Sequence, residues 1–146
     1  MITKGMMSSL RQDWKTPKKF YEELNKEFNF DDDPCPANYK VDGLVREWGK
    51  CCFVNPPYGQ HIKHWIKKGY EEYLKGKIVV FLIPSRTDTK YWHEYIMKAD
   101  EIRFIKGRLR FDDSNKPAPF PSCVVVFKRE SQEQVFAEKL KKELGK

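Results

Sequence analysis

Residues 55–58 read Asn-Pro-Pro-Tyr, directly after the apolar run Cys51-Cys52-Phe53-Val54 and directly before Gly59. A turn needs one proline or one glycine; this corner adds an amide and an aromatic ring in fixed order. Such a corner can hold a planar amine. The carboxamide oxygen of Asn55 is one acceptor, and the carbonyl of Pro56, on backbone that proline stiffens, is a second. Acceptors on both hydrogens of an exocyclic amine such as that of adenine favour a more tetrahedral nitrogen and aim its lone pair at an electrophile. Tyr58 offers a flat face for a base, a contact worth ~1–3 kcal/mol, so any aromatic ring should serve there. Gly59 lets the chain turn away without a clash. The same residues also suit a tight Pro-Pro turn with Tyr58 packed as core.

Other polar groups point less clearly to chemistry. Asp31, Asp32 and Asp33 could serve as the carboxylates of a metal nuclease, but consecutive strand residues alternate faces, so only two can converge. His61 and His64 share a helix face with no carboxylate or cysteine at ligand spacing, so no metal site is expected. Cys35, Cys51, Cys52 and Cys123 form no C-x-x-C pair, which favours reduced thiols over a zinc site or a disulfide framework. Trp65 and Trp92 sit among apolar helix neighbours as core, and Arg103 reads as a charge at a sheet rim. Lys and Arg number 28 against 21 Asp and Glu, a net charge of +7 that suits a polyanionic partner such as nucleic acid without requiring one. The first residues lack the apolar core of a signal peptide, and the run at 78–83 is too short to span a bilayer. A cytoplasmic protein that does not enter a membrane is expected.

The elements that must position these groups follow from pattern. A chain of 146 residues, 40% hydrophobic and 14% aromatic, fits one domain with one core. Residues 1–15 read as a mobile arm and 16–146 as a single domain. Thr16 as N-cap and Pro17 as first helical residue open a helix whose Phe20, Leu24 and Phe28 share a face. Residues 28–33 read as a short strand and 51–55 as a second, ended by the prolines. Ile62, Trp65, Ile66, Tyr70, Tyr73 and Leu74 mark an amphipathic helix. Residues 77–84 are apolar throughout, the pattern of a central parallel strand covered on both faces. A helix capped by Asp88, a strand at 101–105 with a basic turn, a buried strand at 122–128 and a last helix opened by Ser131 and Gln134 complete the chain. Lys139, Lys141, Lys142 and Lys146 read as a solvated helix end. Strands alternating with helices predict an α/β fold with a mostly parallel sheet, whose ligands sit beyond the carboxyl ends of the strands. Residues 31–37, 55–59 and 84–89 all fall at such ends.

The corner at 55–58 resembles the motif of amino-methyltransferases that act on adenine N6, cytosine N4 or a glutamine amide. "DWKTPKKFYEELNKEF", "DPCPA", "DGLVREW", "FVNPPYG", "PSRTDTKYWHEY", "IRFIKGRLRF" and "APFPSCVVVF", in that order, resemble the phage-type DNA N6-adenine methyltransferase family over roughly residues 12 to 128. That resemblance implies a truncated Rossmann-like methyltransferase fold and transfer of a methyl group from S-adenosylmethionine to a flipped adenine in DNA, with no metal and no membrane. It implies that Asn55, Pro56, Pro57 and Tyr58 hold the adenine. Thr16, Pro17, Asp33, Pro34, Asp42 and Asn55 would bind the cofactor, Asp42 near its adenine half, and Arg86, Arg108 and Arg110 would contact DNA. Asp88 falls in the same block as Arg86. The chain departs from the family in two ways: residues 31–39 contain no glycine, and Asn55 stands where many adenine-specific relatives carry aspartate. Only residues 34–54 separate Asp33 from Asn55, less than a full βαβ unit of about 30 residues, so strands found in larger relatives should be missing. A glutamine-amide methyltransferase and a catalytically silent DNA-binding module are the alternatives.

Overall fold

The computed structural model describes residues 14–36, 42–128 and 132–145. Four strands, β1 (Cys51–Val54), β2 (Ile78–Pro84), β3 (Glu101–Phe104) and β4 (Ser122–Lys128), form one sheet in the order β1-β2-β4-β3. Around it lie the helices α1 (Lys18–Phe28), α2 (Asp42–Val45), α3 (Ile62–Leu74), α4 (Lys90–Glu94) and α5 (Gln132–Leu144). The α/β class expected from the sequence is present.

The sheet itself is mixed, which corrects the mostly parallel expectation. β1 pairs parallel to β2, whereas β4 runs antiparallel to both β2 and β3. Burial explains the insertion. β4 is buried up to its last residue and apolar from Cys123 to Phe127, while β3 carries Glu101 and Arg103 and is half exposed. Setting β4 inside and β3 at the rim removes more apolar surface from water. The unbroken apolar pattern of β2 therefore reports cover on both faces and not parallel neighbours. Arg103 at that rim pairs with Glu27 and Glu101.

Because β1, β2 and β3 run the same way, their carboxyl ends and the amino end of β4 share one sheet edge. Asp32 joins this layer through a single parallel bridge to Cys52, where a short strand is expected from the sequence. The ladder stops there because the first two aspartates turn aside. Asp31 accepts from the backbone N–H groups of Lys50 and Cys51, and Asp32 holds Arg46 and the N–H of Gly49.

α3 lays Ile62, Trp65 and Ile66 into the core. Gly69 allows a very close approach, since a Cβ there would lie 2.2 Å from the ring of Phe81. α1 contributes Leu24 to the core, with Phe20 and Phe28 half-buried beside it. Two caps differ from expectation. α1 begins at Lys18 with no side-chain cap, because Thr16 is engaged elsewhere; α4 is capped by Thr89, which accepts from the N–H of Trp92, and not by Asp88. Ser131 lies outside the described residues, as do residues 1–13 of the expected arm and Lys146. The four cysteines are free and buried, and burial pushes the thiols of Cys35 and Cys52 up to about 12.

Candidate active site

The Asn55 corner forms where β1 leaves the sheet. Prolines at 56 and 57 cannot continue the ladder, and Gly59 turns the chain with φ +116° before α3 begins. Asn55, Pro56 and Pro57 line a cavity of about 510 Å³. Thr16, Tyr21, Asp33, Cys35 and Phe53 share its wall with Trp14, Lys15, Lys18, Pro36, Asp112 and Asp113. Four segments separate in sequence, 14–21, 33–36, 53–57 and 112–113, thus meet at the carboxyl edge of the sheet.

The Asn55 amide is held at both ends. Its Nδ2 donates to the backbone carbonyl of Trp14 and, at 3.0 Å, to Oγ1 of Thr16. Its Oδ1 accepts from the Tyr58 hydroxyl at 2.8 Å; that hydroxyl also lies 3.2 Å from the carbonyl of Leu82. Burial raises the Tyr58 hydroxyl well above its ordinary pKa, so it remains a donor.

Tyr58 differs most from the sequence reading. Its ring is 5% exposed and meets Phe111 and Phe120 edge-on, with centroids 6.1 and 5.4 Å away. In this structure it is not an open platform for a base; it is a packed ring whose hydroxyl reaches Asn55. The ring's burial satisfies the bland expectation of a core tyrosine, and the hydroxyl contact adds a role that spacing alone did not suggest.

The three consecutive aspartates divide their tasks. Asp31 and Asp32 hold backbone and Arg46, as above, whereas Asp33 opens into the cavity and accepts from the N–H of Cys35 at 3.2 Å. Its side chain is exposed along the cavity, yet the protein around it desolvates the carboxyl, and with the charge of Asp32 this raises its pKa to about 6. Pro34 is buried, its carbonyl against Gly43, where a Cβ would approach to 2.2 Å. Pro17 precedes α1 outside the cavity wall, and Asp42 stands exposed at the start of α2, also outside it. Arg86, Arg108 and Arg110 are exposed; Arg108 donates to Ala118 O at 3.4 Å and Arg110 to Asn115 O. Asp88 is exposed beside Arg86. His61 and His64 are exposed with ring centroids 6.1 Å apart, and among the described residues no cluster of three potential metal ligands is present.

A family model described as DNA N-6-adenine-methyltransferase (Dam) matches residues 4–144. The chain belongs to this family. A DNA N-6-adenine-methyltransferase of Haemophilus phage HP1 is 29% identical to it over 141 residues, spanning 80% of this chain and 82% of the phage protein. In this Dam-family chain, sequence reasoning missed Trp14, Tyr21, Lys15, Lys18, Asp112 and Asp113 as walls of the cavity. Asp112 and Asp113 adopt φ of 60° and 54° in a 3-10 turn. Aspartate tolerates that left-handed region better than most residues, so two adjacent aspartates were the one local signal available. No described helix is long and apolar enough to cross a membrane.

Proposed function

We propose that this chain transfers a methyl group from S-adenosylmethionine to N6 of adenine in DNA. The observation that carries the reading is Asn55, held at the carboxyl edge of the sheet on the wall of a cavity it shares with Asp33. The lining suits the cofactor: aromatic side chains of Trp14, Tyr21 and Phe53 for its adenine, and the carboxylates of Asp33, Asp112 and Asp113 for its hydroxyls and positive charge. When bound, S-adenosylmethionine supplies an electrophilic methyl carbon on a positively charged sulfur.

The protein's share is positional. Adenine must leave the stacked duplex for its amine to be reached. Asn55 Oδ1 and the Pro56 carbonyl accept its two hydrogens and direct the nitrogen lone pair into the cavity. Holding two reactants in attack geometry removes most of the entropic barrier, and no base is needed before the methyl moves. Exposed Arg86, Arg108 and Arg110 would contact the phosphates. Incubation with labelled cofactor, duplex DNA and protein substrates tests the reading: label on adenine supports it, and label on a protein glutamine or nowhere overturns it.

Two further results are expected. The ionised form of Asp33 is the one that attracts a cationic ligand. Cofactor affinity should therefore weaken as pH falls below about 6, by up to tenfold per pH unit. Asp33→Asn should bind more weakly at pH 7 and lose that dependence. The sign for stability is opposite. The folded pKa lies above the ordinary 3.8, so the stabilising contribution exists below 3.8 and is lost as pH rises through about 6. At pH 7 the ligand-free Asp33→Asn protein should melt higher than wild type while binding cofactor less tightly. Equal cofactor affinity by calorimetry would remove Asp33 from the site.

Arg108 and Arg110 each follow Gly107, which turns with φ +76°. If each contacts one phosphate, neutralising either should flatten the dependence of log K on log salt by about 0.9 on duplex DNA. Unchanged slopes in both single variants exclude this turn from the DNA footprint.

A further inference from the structure

An amide at the reacting centre presents a problem that a carboxylate does not. Its two ends are nearly isosteric, but only the oxygen accepts a hydrogen bond. Rotated by half a turn, Asn55 would offer N–H donors to an amine it should be accepting from. Both hydrogens of Nδ2 are taken by one short segment, the Trp14 carbonyl and Thr16 Oγ1, and that segment is itself clamped. The N–H of Asp112 donates to Lys15 O at 2.9 Å, and the N–H of Lys18 donates to the Asp113 carboxylate at 3.3 Å. The Trp14 ring meets Phe111 and Phe120 edge-on at 5.6 and 5.2 Å. The left-handed backbone of Asp112 and Asp113 lies at this clamp, where tertiary contacts hold a sparsely populated conformation.

We propose that Thr16 is a positioning residue for Asn55: the Trp14 carbonyl, which can only accept, selects the rotamer in which Oδ1 and not Nδ2 faces the substrate amine, and the Thr16 hydroxyl, turned to accept, holds the amide in it. The carboxamide oxygen has two lone pairs. The Tyr58 hydroxyl occupies one, and the second remains for the amine. This role rests on the reading of Asn55 as amine acceptor, and it differs from cofactor contact, the role that the family resemblance implies for Thr16.

Thr16→Val keeps the shape and removes the acceptor; Thr16→Ser restores it. At saturating cofactor and DNA, Thr16→Val should slow single-turnover methyl transfer by about 3- to 10-fold, the worth of one net hydrogen bond. Cofactor and DNA dissociation constants should stay within about twofold of wild type by the same reckoning, and Thr16→Ser should recover the rate. Weakened cofactor binding with an unchanged saturated rate would assign Thr16 to the cofactor and overturn the proposal. So would an unchanged rate in a folded Thr16→Val protein whose Asn55→Ala counterpart is inactive. An active Asn55→Ala protein would instead overturn the underlying reading of Asn55. A second measurement needs no turnover and only the wild-type fold. The side-chain amide protons of Asn55, assigned by their loss in Asn55→Asp, should exchange slowly with solvent in the ligand-free protein, and fast exchange of both would reject the clamp.

Discussion

Asn55→Ala is expected to lower single-turnover methyl transfer by about 10²–10³-fold, the usual cost of deleting a positioned hydrogen-bonding group at a reacting centre. DNA and cofactor binding should change far less, because the cavity walls contributed by Asp33, Tyr21 and Phe53 remain. The structure sharpens the comparison with Tyr58. From the sequence, Tyr58→Phe should be nearly silent, since a stacking face needs no hydroxyl. Here the hydroxyl donates to Asn55 Oδ1 and the ring is packed against Phe111 and Phe120. Tyr58→Phe should therefore lower the rate by an amount between wild type and Asn55→Ala, without loss of base capture. Rapid-quench kinetics with a fluorescent base analogue at the target separate the two steps. A fully active Asn55→Ala enzyme would falsify the assignment of the corner.

Glu72→Gln is expected to destabilise the fold by about 1.5–3 kcal/mol, the worth of hydrogen bonds to a charged acceptor, since the glutamine oxygen still accepts but carries no charge. Glu72 is fully buried on α3 and receives Lys77 at 2.6 Å, Lys68 at 2.9 Å and Lys75 at 3.3 Å. Lys77 also donates to the carbonyl of Trp48 at 2.6 Å and meets Glu47 at 3.3 Å, which ties the end of α3 to the segment entering β1. Burial alone would push the Glu72 carboxyl up, but hydrogen bonds from Lys77, Lys68 and Lys75 outweigh it and hold the pKa at about 2. The folded value lies below the ordinary 4.5, so this contribution is present above 4.5 and is lost as pH falls through about 2. Urea denaturation at pH 7 should show the full gap between wild type and Glu72→Gln, and the gap should narrow as pH falls through that window. A midpoint shift that is equally large at pH 7 and below pH 2.5 would mean that the loss comes from packing and not from charge.

Much of the site was legible because its signals are local. An apolar run stopped by two prolines must leave the sheet at Asn55, and a glycine must take the positive φ at position 59; both hold here. The aspartates at 31–33 and the turn at 84–89 also fall where strand ends were expected, since alternation and turn chemistry need only neighbouring residues. What the sequence could not decide are pairings between distant residues. Thr16 carries every mark of an N-cap, yet its hydroxyl serves Asn55, 39 positions away, and Lys18 finds Asp113, 95 positions away. β4 looks like any buried strand, and only the exposed charges of β3 at the other end of a long connection decide which of them lies inside the sheet. Glu72 sits in an amphipathic helix where a solvated carboxylate is the ordinary outcome; Lys68, Lys75 and Lys77, all within five residues, make burial tolerable, but only the packing of α3 decides that this carboxylate is buried. The sequence by itself determined where the chain leaves the sheet, at Asn55, and where it turns, at Gly59, because backbone stereochemistry acts within a few residues. The tertiary structure alone decided which way the Asn55 amide faces and where Tyr58 points, because a hydrogen bond depends on the partner that folding delivers.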